Sequence, residues 1–247
     1  MNFKRIVICC CSDYCRVSAE IVRKIFHRAE SAEIKVELCP DLCFEAVSNS
    51  EYIKQLSDEN TIIAACHERS VKALFESADV KAPAILDLIN PDADLNILTK
   101  SRDENNNTKN ITRNCTEKKS DEGIKDLILP EYKHEWKAWY PLIDRTRCNG
   151  CGKCIDYCLF GVYSRKEKRV AVTKPSECKT NCPACARVCP QQAIIFPKHS
   201  EPPINGGKIE PDVSQNSENL SEDKAEDLYS KLAKRRQALR KEPLIKD

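Results

Sequence analysis

"CNGCGKCIDYC" (Cys148–Cys158) and "CKTNCPACARVCP" (Cys178–Pro190) hold eight of the chain's sixteen cysteines. The first stretch spaces them x2, x2, x3; the second x3, x2, x3, with Pro190 directly after its fourth cysteine. Sixteen cysteines in 247 residues would read as disulfides in a secreted chain. The N-terminus argues against secretion. "MNFKRIVICCC" has too short an apolar run for a signal peptide and sets cysteines where cleavage would fall. No run of about 18 apolar residues exists, so no membrane span is expected. The expected compartment is the reducing cytoplasm, where grouped thiolates favour metal over each other.

The spacing narrows the kind of metal group. Thiolates separated by two-residue gaps can wrap three corners of one iron–sulfur cube. Gly150 and Gly152 let the loop turn backbone N–H groups toward the sulfurs. The fourth cysteine is expected to start a helix pointing away, and so to reach a neighbouring cube. Zinc competes, because four thiolates with two-residue gaps also suit a structural zinc site. Zinc sites, however, usually take two cysteine pairs, not two triplets each with a distant fourth. Residues 140–198 resemble the dicluster bacterial-type ferredoxins, whose run is C-x2-C-x2-C-x3-C-P. The resemblance implies an α+β fold with one [4Fe–4S] cluster on Cys148, Cys151, Cys154 and Cys189. A second would use Cys178, Cys182, Cys185 and Cys158. "GVYSRKEKRVAV" and "QAIIFP" fit the short hairpin segments that cover the clusters in that fold. Two departures are visible: Leu159, not proline, follows Cys158, and three residues separate Cys178 from Cys182. The extra residue bears on the second cluster.

Overall charge is only +2, which excludes nothing but gives no sign of nucleic-acid binding. Locally the picture differs. Between Asp144 and Lys198 eleven Lys/Arg stand against four Asp/Glu. These cations either offset the negative clusters or form a docking face for an acidic redox partner. Just before the first motif, "HEWKAWYPLI" (134–143) offers Trp136, Trp139 and Tyr140 as a hydrophobic plug over a small core. His27, His134 and His199 have no cysteine at ligand spacing and read as surface or core residues.

Toward the N-terminus, "SRDENNNTKNITRNCTEKKSDEG" is polar and low in complexity, a flexible linker in which Cys115 is a bystander. Residues 3–90 alternate strand and helix. "KRIVICC", "EIKVELC", "NTIIAAC" and "PAILDLI" read as strands. "VSAEIVRKIFHRAE" sets Val17, Ile21, Val22, Ile25, Phe26 and Ala29 on one helical face. A single helix is expected over Asp41–Leu56, and another over "ERSVKALFESA". The order β-α-β-α-β-α-β implies a small, doubly wound parallel sheet. The expected organisation is an α/β cysteine-rich domain over 1–92, a flexible linker over 93–128, a dicluster ferredoxin domain over 129–199, and a polar tail over 200–247. That tail reads as disordered apart from a helix over 221–241, with Leu228, Leu232 and Leu239 on one side.

In a parallel sheet, ligands collect at the carboxyl ends of the strands. Cys9, Cys10 and Cys11 end the first strand, Cys39 the second with Cys43 four residues on, and Cys66 the third. Three strands thus deliver cysteines to one edge. Alternation sends Cys9 and Cys11 to one side and Cys10 to the other. A metal cluster, zinc, a thiol–disulfide pair, or simply buried reduced cysteines would each satisfy this pattern. The order "IVICCCSDYC … ELCPDLC … IIAACHERSVKALF" resembles the N-terminal domain of the flavin-bearing subunit of heterodisulfide reductases. That resemblance implies a third [4Fe–4S] cluster on Cys9 or Cys11, Cys39, Cys43 and Cys66. Cys10 and Cys15 are extra, and His67 stands where that family tends to have serine.

Only six glycines occur, and neither a dinucleotide fingerprint nor a P-loop is present. No flavin, NAD or ATP is expected on this chain, and no small-molecule substrate. The reading is an iron–sulfur electron carrier or oxidoreductase subunit, not a complete enzyme, serving a larger redox partner. Two other classes compete: a heterodisulfide- or thiol-reductase-type catalytic subunit working through the front cysteines, and an iron–sulfur redox sensor.

Overall fold

A computed structural model describes residues 3–11, 14–89, 135–167 and 169–209. The expected linker with Cys115, His134 and the expected helix over 221–241 lie outside the described residues.

The N-terminal lobe is a four-stranded parallel sheet in the order β2-β1-β3-β4. Its strands are β1 (Arg5–Cys9), β2 (Lys35–Cys39), β3 (Thr61–Ala65) and β4 (Ala84–Asp87). The central strands read as unbroken apolar runs because both their faces are covered. Ile6, Val7, Ile8, Ile62, Ile63 and Ala64 are fully buried; each of the larger side chains contributes about 1.5–3 kcal/mol by leaving water. Edge strand β2 is only partly covered, which is why it alternates.

Helix α1 (Ala19–Ser31) starts where the Ser18 hydroxyl accepts from the Glu20 amide, and buries Val22, Ile25 and Ala29. The single helix expected over Asp41–Leu56 is two: α2 (Leu42–Ser48) and α3 (Ser50–Gln55). Asn49 divides them. Its backbone leaves the helical region and its side chain accepts from the Tyr52 amide, the capping role asparagine prefers over a helix interior. Helix α4 (Glu68–Ser77) buries Val71, Ala73, Leu74 and Phe75.

The second lobe has little regular structure. β5 (Leu142–Ile143) pairs antiparallel with β8 (Ile194–Ile195), and β6 (Tyr163–Lys166) with β7 (Arg169–Val172). Helices α5 (Lys153–Tyr157) and α6 (Ala184–Arg187) are single turns. A small core of Trp139, Ile143, Val162, Val170, Ile194 and Phe196 holds it together.

The two lobes belong to one compact unit, Met1–Ile209. The aromatic segment expected to plug one core serves both. Trp136 and Tyr140 stack on each other, with centroids 6.1 Å apart, and pack on the α/β core. Trp139 turns the other way onto Phe196 at 5.3 Å. Arg69 of α4 reaches across, its Nε 2.6 Å from Asp144 Oδ2 and its Nη1 donating to Pro203 O at 3.2 Å. The polar composition from residue 200 onward suggests a tail, yet its first residues fold back. Ser70 Oγ donates to Asn205 O at 2.7 Å. Gly206 sits at φ 87°, where a Cβ would fall 2.0 Å from Ser70 Oγ, so a side chain is excluded there.

Candidate metal centres

All fifteen cysteines among the described residues are free thiols. In the second lobe they occupy tight loops. Gly150 and Gly152 have φ of 74° and 85°, left-handed conformations that fold the loop back on itself. At Gly152 a Cβ would come within 2.1 Å of Arg165 Nη2. Arg165 in turn holds the loop, with Nη1 3.0 Å from Gly150 O.

The fourth cysteine of each motif was expected to begin a helix. Instead α5 carries Cys154 and ends before Cys158, and α6 carries Cys185 and ends before Cys189. Cys158 itself is extended, with φ −81° and ψ 111°, so the chain swings off the helix there. The Cys154 thiol interacts electrostatically with Cys148 and Cys189, and the Cys178 thiol with Cys185, Cys158 and Cys182. Burial pushes the Cys154 thiol up to about 11, with Cys148 and then Cys189 adding to the rise. Burial likewise pushes Cys178 up to about 12, with Cys185, Cys158 and Cys182 adding to it. The extra residue in the second motif is taken up locally. The Cys182 amide donates to Lys179 O at 3.1 Å, and Asn181 closes the turn at φ 61°, a conformation asparagine tolerates. Two donors already face sulfur: the Ala193 amide lies 3.3 Å from Cys189 Sγ, and the Tyr163 hydroxyl 3.0 Å from Cys185 Sγ. Such bonds favour thiolate and tune an iron–sulfur group; the Tyr163 contact gave no sign in the sequence.

At the front lobe, Cys9, Cys11, Cys43 and Cys66 line one cavity of about 20 Å³, together with Asp41 and Lys198. Strand order explains the gathering. The sheet changes direction between β1 and β3, and the ends of those strands frame the crevice where ligands bind in such sheets. Cys11 turns inward at φ 47°. The Leu42 amide, at the start of α2, lies 3.4 Å from Cys9 Sγ. Cys10 faces away, its Sγ 3.9 Å from Ile8 O, as alternation requires. Cys39 is the register partner of Cys9 and is buried, but is not among the residues lining the cavity. Cys15 is exposed. His67 Nδ1 lies 3.4 Å from Asp87 Oδ2.

Burial pushes these thiols up: Cys11 to about 11, Cys66 to about 12, and Cys9 and Cys43 well above the ordinary thiol value. Neutral buried thiols are poor nucleophiles, which weighs against thiol–disulfide chemistry. A bound metal group reverses the situation by deprotonating its thiol ligands outright. Among the described residues no three Cys, His, Asp or Glu side chains close to the spacing one metal ion requires. By donor type the thiols are what an iron–sulfur cube takes: soft ligands in groups, with amide and hydroxyl donors turned toward sulfur.

One charged side chain escaped the sequence reading. Lys198, from the second lobe, enters the front cavity and pairs with Asp41. Burial works against its charge, but Cys43 and Asp41 outweigh burial and raise its affinity for the proton. Only its place among the basic residues before the tail marked it in advance.

Comparison with known proteins points to iron–sulfur binding. The family described as "4Fe-4S binding domain" matches residues 140–163. One uncharacterized ferredoxin of Methanocaldococcus jannaschii is 41% identical over 87 residues, 34% of this chain and 59% of that protein. A second uncharacterized ferredoxin of the same organism is 36% identical over 57 residues, 22% of this chain and 74% of its own length. Ferredoxin-3 of Nostoc is 33% identical over 66 residues, 20% of this chain and 68% of its own length. The chain thus spans about three fifths of the first of these relatives. Among the described residues no helix is long and apolar enough to cross a membrane. With its thiol-rich loops and these relatives, the chain belongs to the iron–sulfur ferredoxins.

Proposed function

We propose that this ferredoxin carries two [4Fe–4S] clusters in its second lobe and a third in the front lobe. In this reading it passes single electrons to or from a larger redox partner in a reducing cytoplasm. The first cluster is assigned to Cys148, Cys151, Cys154 and Cys189, and the second to Cys178, Cys182, Cys185 and Cys158. The observation that supports this most is the crossing of neighbours. Cys154 feels the charge of Cys189, and Cys178 that of Cys158, although each pair comes from different motifs; Cys185 feels Cys158 and, more weakly, Cys154. A bound cube supplies one-electron oxidation and reduction; the protein supplies the thiolates, the dry walls and the hydrogen bonds to sulfur.

The surface offers a place for the partner. Next to Cys158, Tyr157, Leu159 and Phe160 are 57%, 92% and 42% exposed. Lys174 is tied to the same loop by its amide, 3.1 Å from Val162 O, and Lys179 follows Cys178. An apolar centre on a lobe with eleven Lys/Arg against four Asp/Glu between Asp144 and Lys198 fits a redox protein with an acidic rim. The chain, purified without air, should hold about twelve irons and as many sulfides; about eight would leave only the second-lobe clusters, and stoichiometric zinc without iron would end the reading. Reduction by an acidic partner should slow with added salt and slow again in Leu159→Asp. Rates indifferent to both would remove the docking surface from the proposal.

A further inference from the structure

The front cavity joins thiols from one lobe to an ammonium from the other. Lys198 and Asp41 side chains are 2% and 3% exposed, and both line the cavity with Cys9, Cys11, Cys43 and Cys66. Burying such a pair carries a desolvation cost for each ion, and apolar replacements often match its stability. Stability alone is therefore a weak reason for its position. The geometry gives a better one. Asp41 is already engaged: its Oδ1 accepts from the Cys43 and Phe44 amides at 3.0 and 3.3 Å, and Oδ2 holds Lys198. The ammonium also rests 4.9 Å from the Tyr14 ring centroid. It is thus fixed from two sides, in the cavity that Cys43 and Cys11 also line.

The backbone that delivers Lys198 is fixed as well. Phe196 stacks on Trp139, its amide donates to Ile204 O at 2.7 Å, and the His199 amide donates to Phe196 O at 2.9 Å. The lysine therefore comes as part of the folded second lobe. Four thiolates around an iron–sulfur core carry net negative charge into a dry cavity. A pre-positioned cation lowers the cost of holding that charge.

We infer that Lys198 is the electrostatic cap of the front centre. Held by Asp41, it offsets the charge of an iron–sulfur group on Cys9, Cys11, Cys43 and Cys66, so that this centre is complete only when the two lobes are docked. The inference rests on the front-cluster reading above. It also narrows the ligands, placing Cys39 outside the quartet.

The test uses the full chain purified without air, with iron counting and redox titration followed by EPR. Lys198→Met should lose about four of about twelve irons, or keep them with the front midpoint potential shifted down, since a positive charge stabilises the added electron. Asp41→Asn should shift that potential up. Lys198→Arg should restore wild-type iron content, and the second-lobe signals should not move in any variant. Should Lys198→Met fail to fold, Asp41→Asn and Lys198→Arg carry the decision. Full iron with unshifted potentials in Lys198→Met and Asp41→Asn would overturn the cap and leave the third cluster standing. About eight irons in the wild type would defeat the front cluster itself, and the cap with it. Cys39→Ser with undiminished iron is expected; loss of about four irons there would overturn the quartet.

Discussion

The two lobes gather thiols by opposite means. In the second lobe, short loops do it: cysteines two or three residues apart are neighbours because the chain between them is nearly fully turned. In the front lobe, Cys9 and Cys66 are far apart in sequence and meet because β1 and β3 are adjacent parallel strands. The difference extends to what holds each lobe. The α/β lobe has a continuous apolar core around its sheet. The second lobe has two-residue and four-residue strands and single-turn helices around a small core, so a bound group is expected to supply more of its stability.

Stripping iron is the largest test of that contrast. Chelation under reducing conditions should abolish hydrogen-exchange protection in β6 and β7 and leave the amides of β1 and β3 protected. Equal loss in both lobes would mean that the front lobe does not stay folded once iron is removed from the chain. Next comes Ile63→Ala, which should cost about 2–5 kcal/mol in thermal or denaturant unfolding of the α/β lobe and leave the second-lobe iron in place. Arg69→Ala cuts the half-buried tie to Asp144 and should cost about 1–3 kcal/mol. It should also turn one unfolding transition into two, by calorimetry; a single transition would show that the aromatic segment alone couples the lobes. Gly152→Ala sets a side chain at a left-handed φ against Arg165 and should cost about 1–2 kcal/mol, with slower cluster reconstitution. Leu159→Asp is the smallest case. At a fully solvated position it should leave stability within about 0.5 kcal/mol while changing partner kinetics.

Much of this was legible in the residues. Apolar runs such as Ile6–Ile8 and Ile62–Ala64 declared central parallel strands, and strand ends then placed Cys9, Cys11 and Cys66 on one edge. Two things were not legible. Asn49 breaks a helix whose apolar pattern runs on through it, because a local cap outweighs periodicity. Lys198 lies more than 150 residues from Asp41, and no local pattern announces a partner at that distance. Cys39 shows the limit of strand ends as a guide: register puts it beside Cys9, but a neighbour along the sheet need not look into the same hole.

Asn181 carries a wider consequence. One link of the chain coiled the other way takes in the surplus residue between Cys178 and Cys182, and the sulfurs need not notice it. Counting letters between ligands therefore measures thread rather than distance. Shortening this loop by one residue, with glycine at the bend, should leave the chain's iron–sulfur spectrum unchanged. Chains with irregular gaps of this kind are sound places to look for the same chemistry.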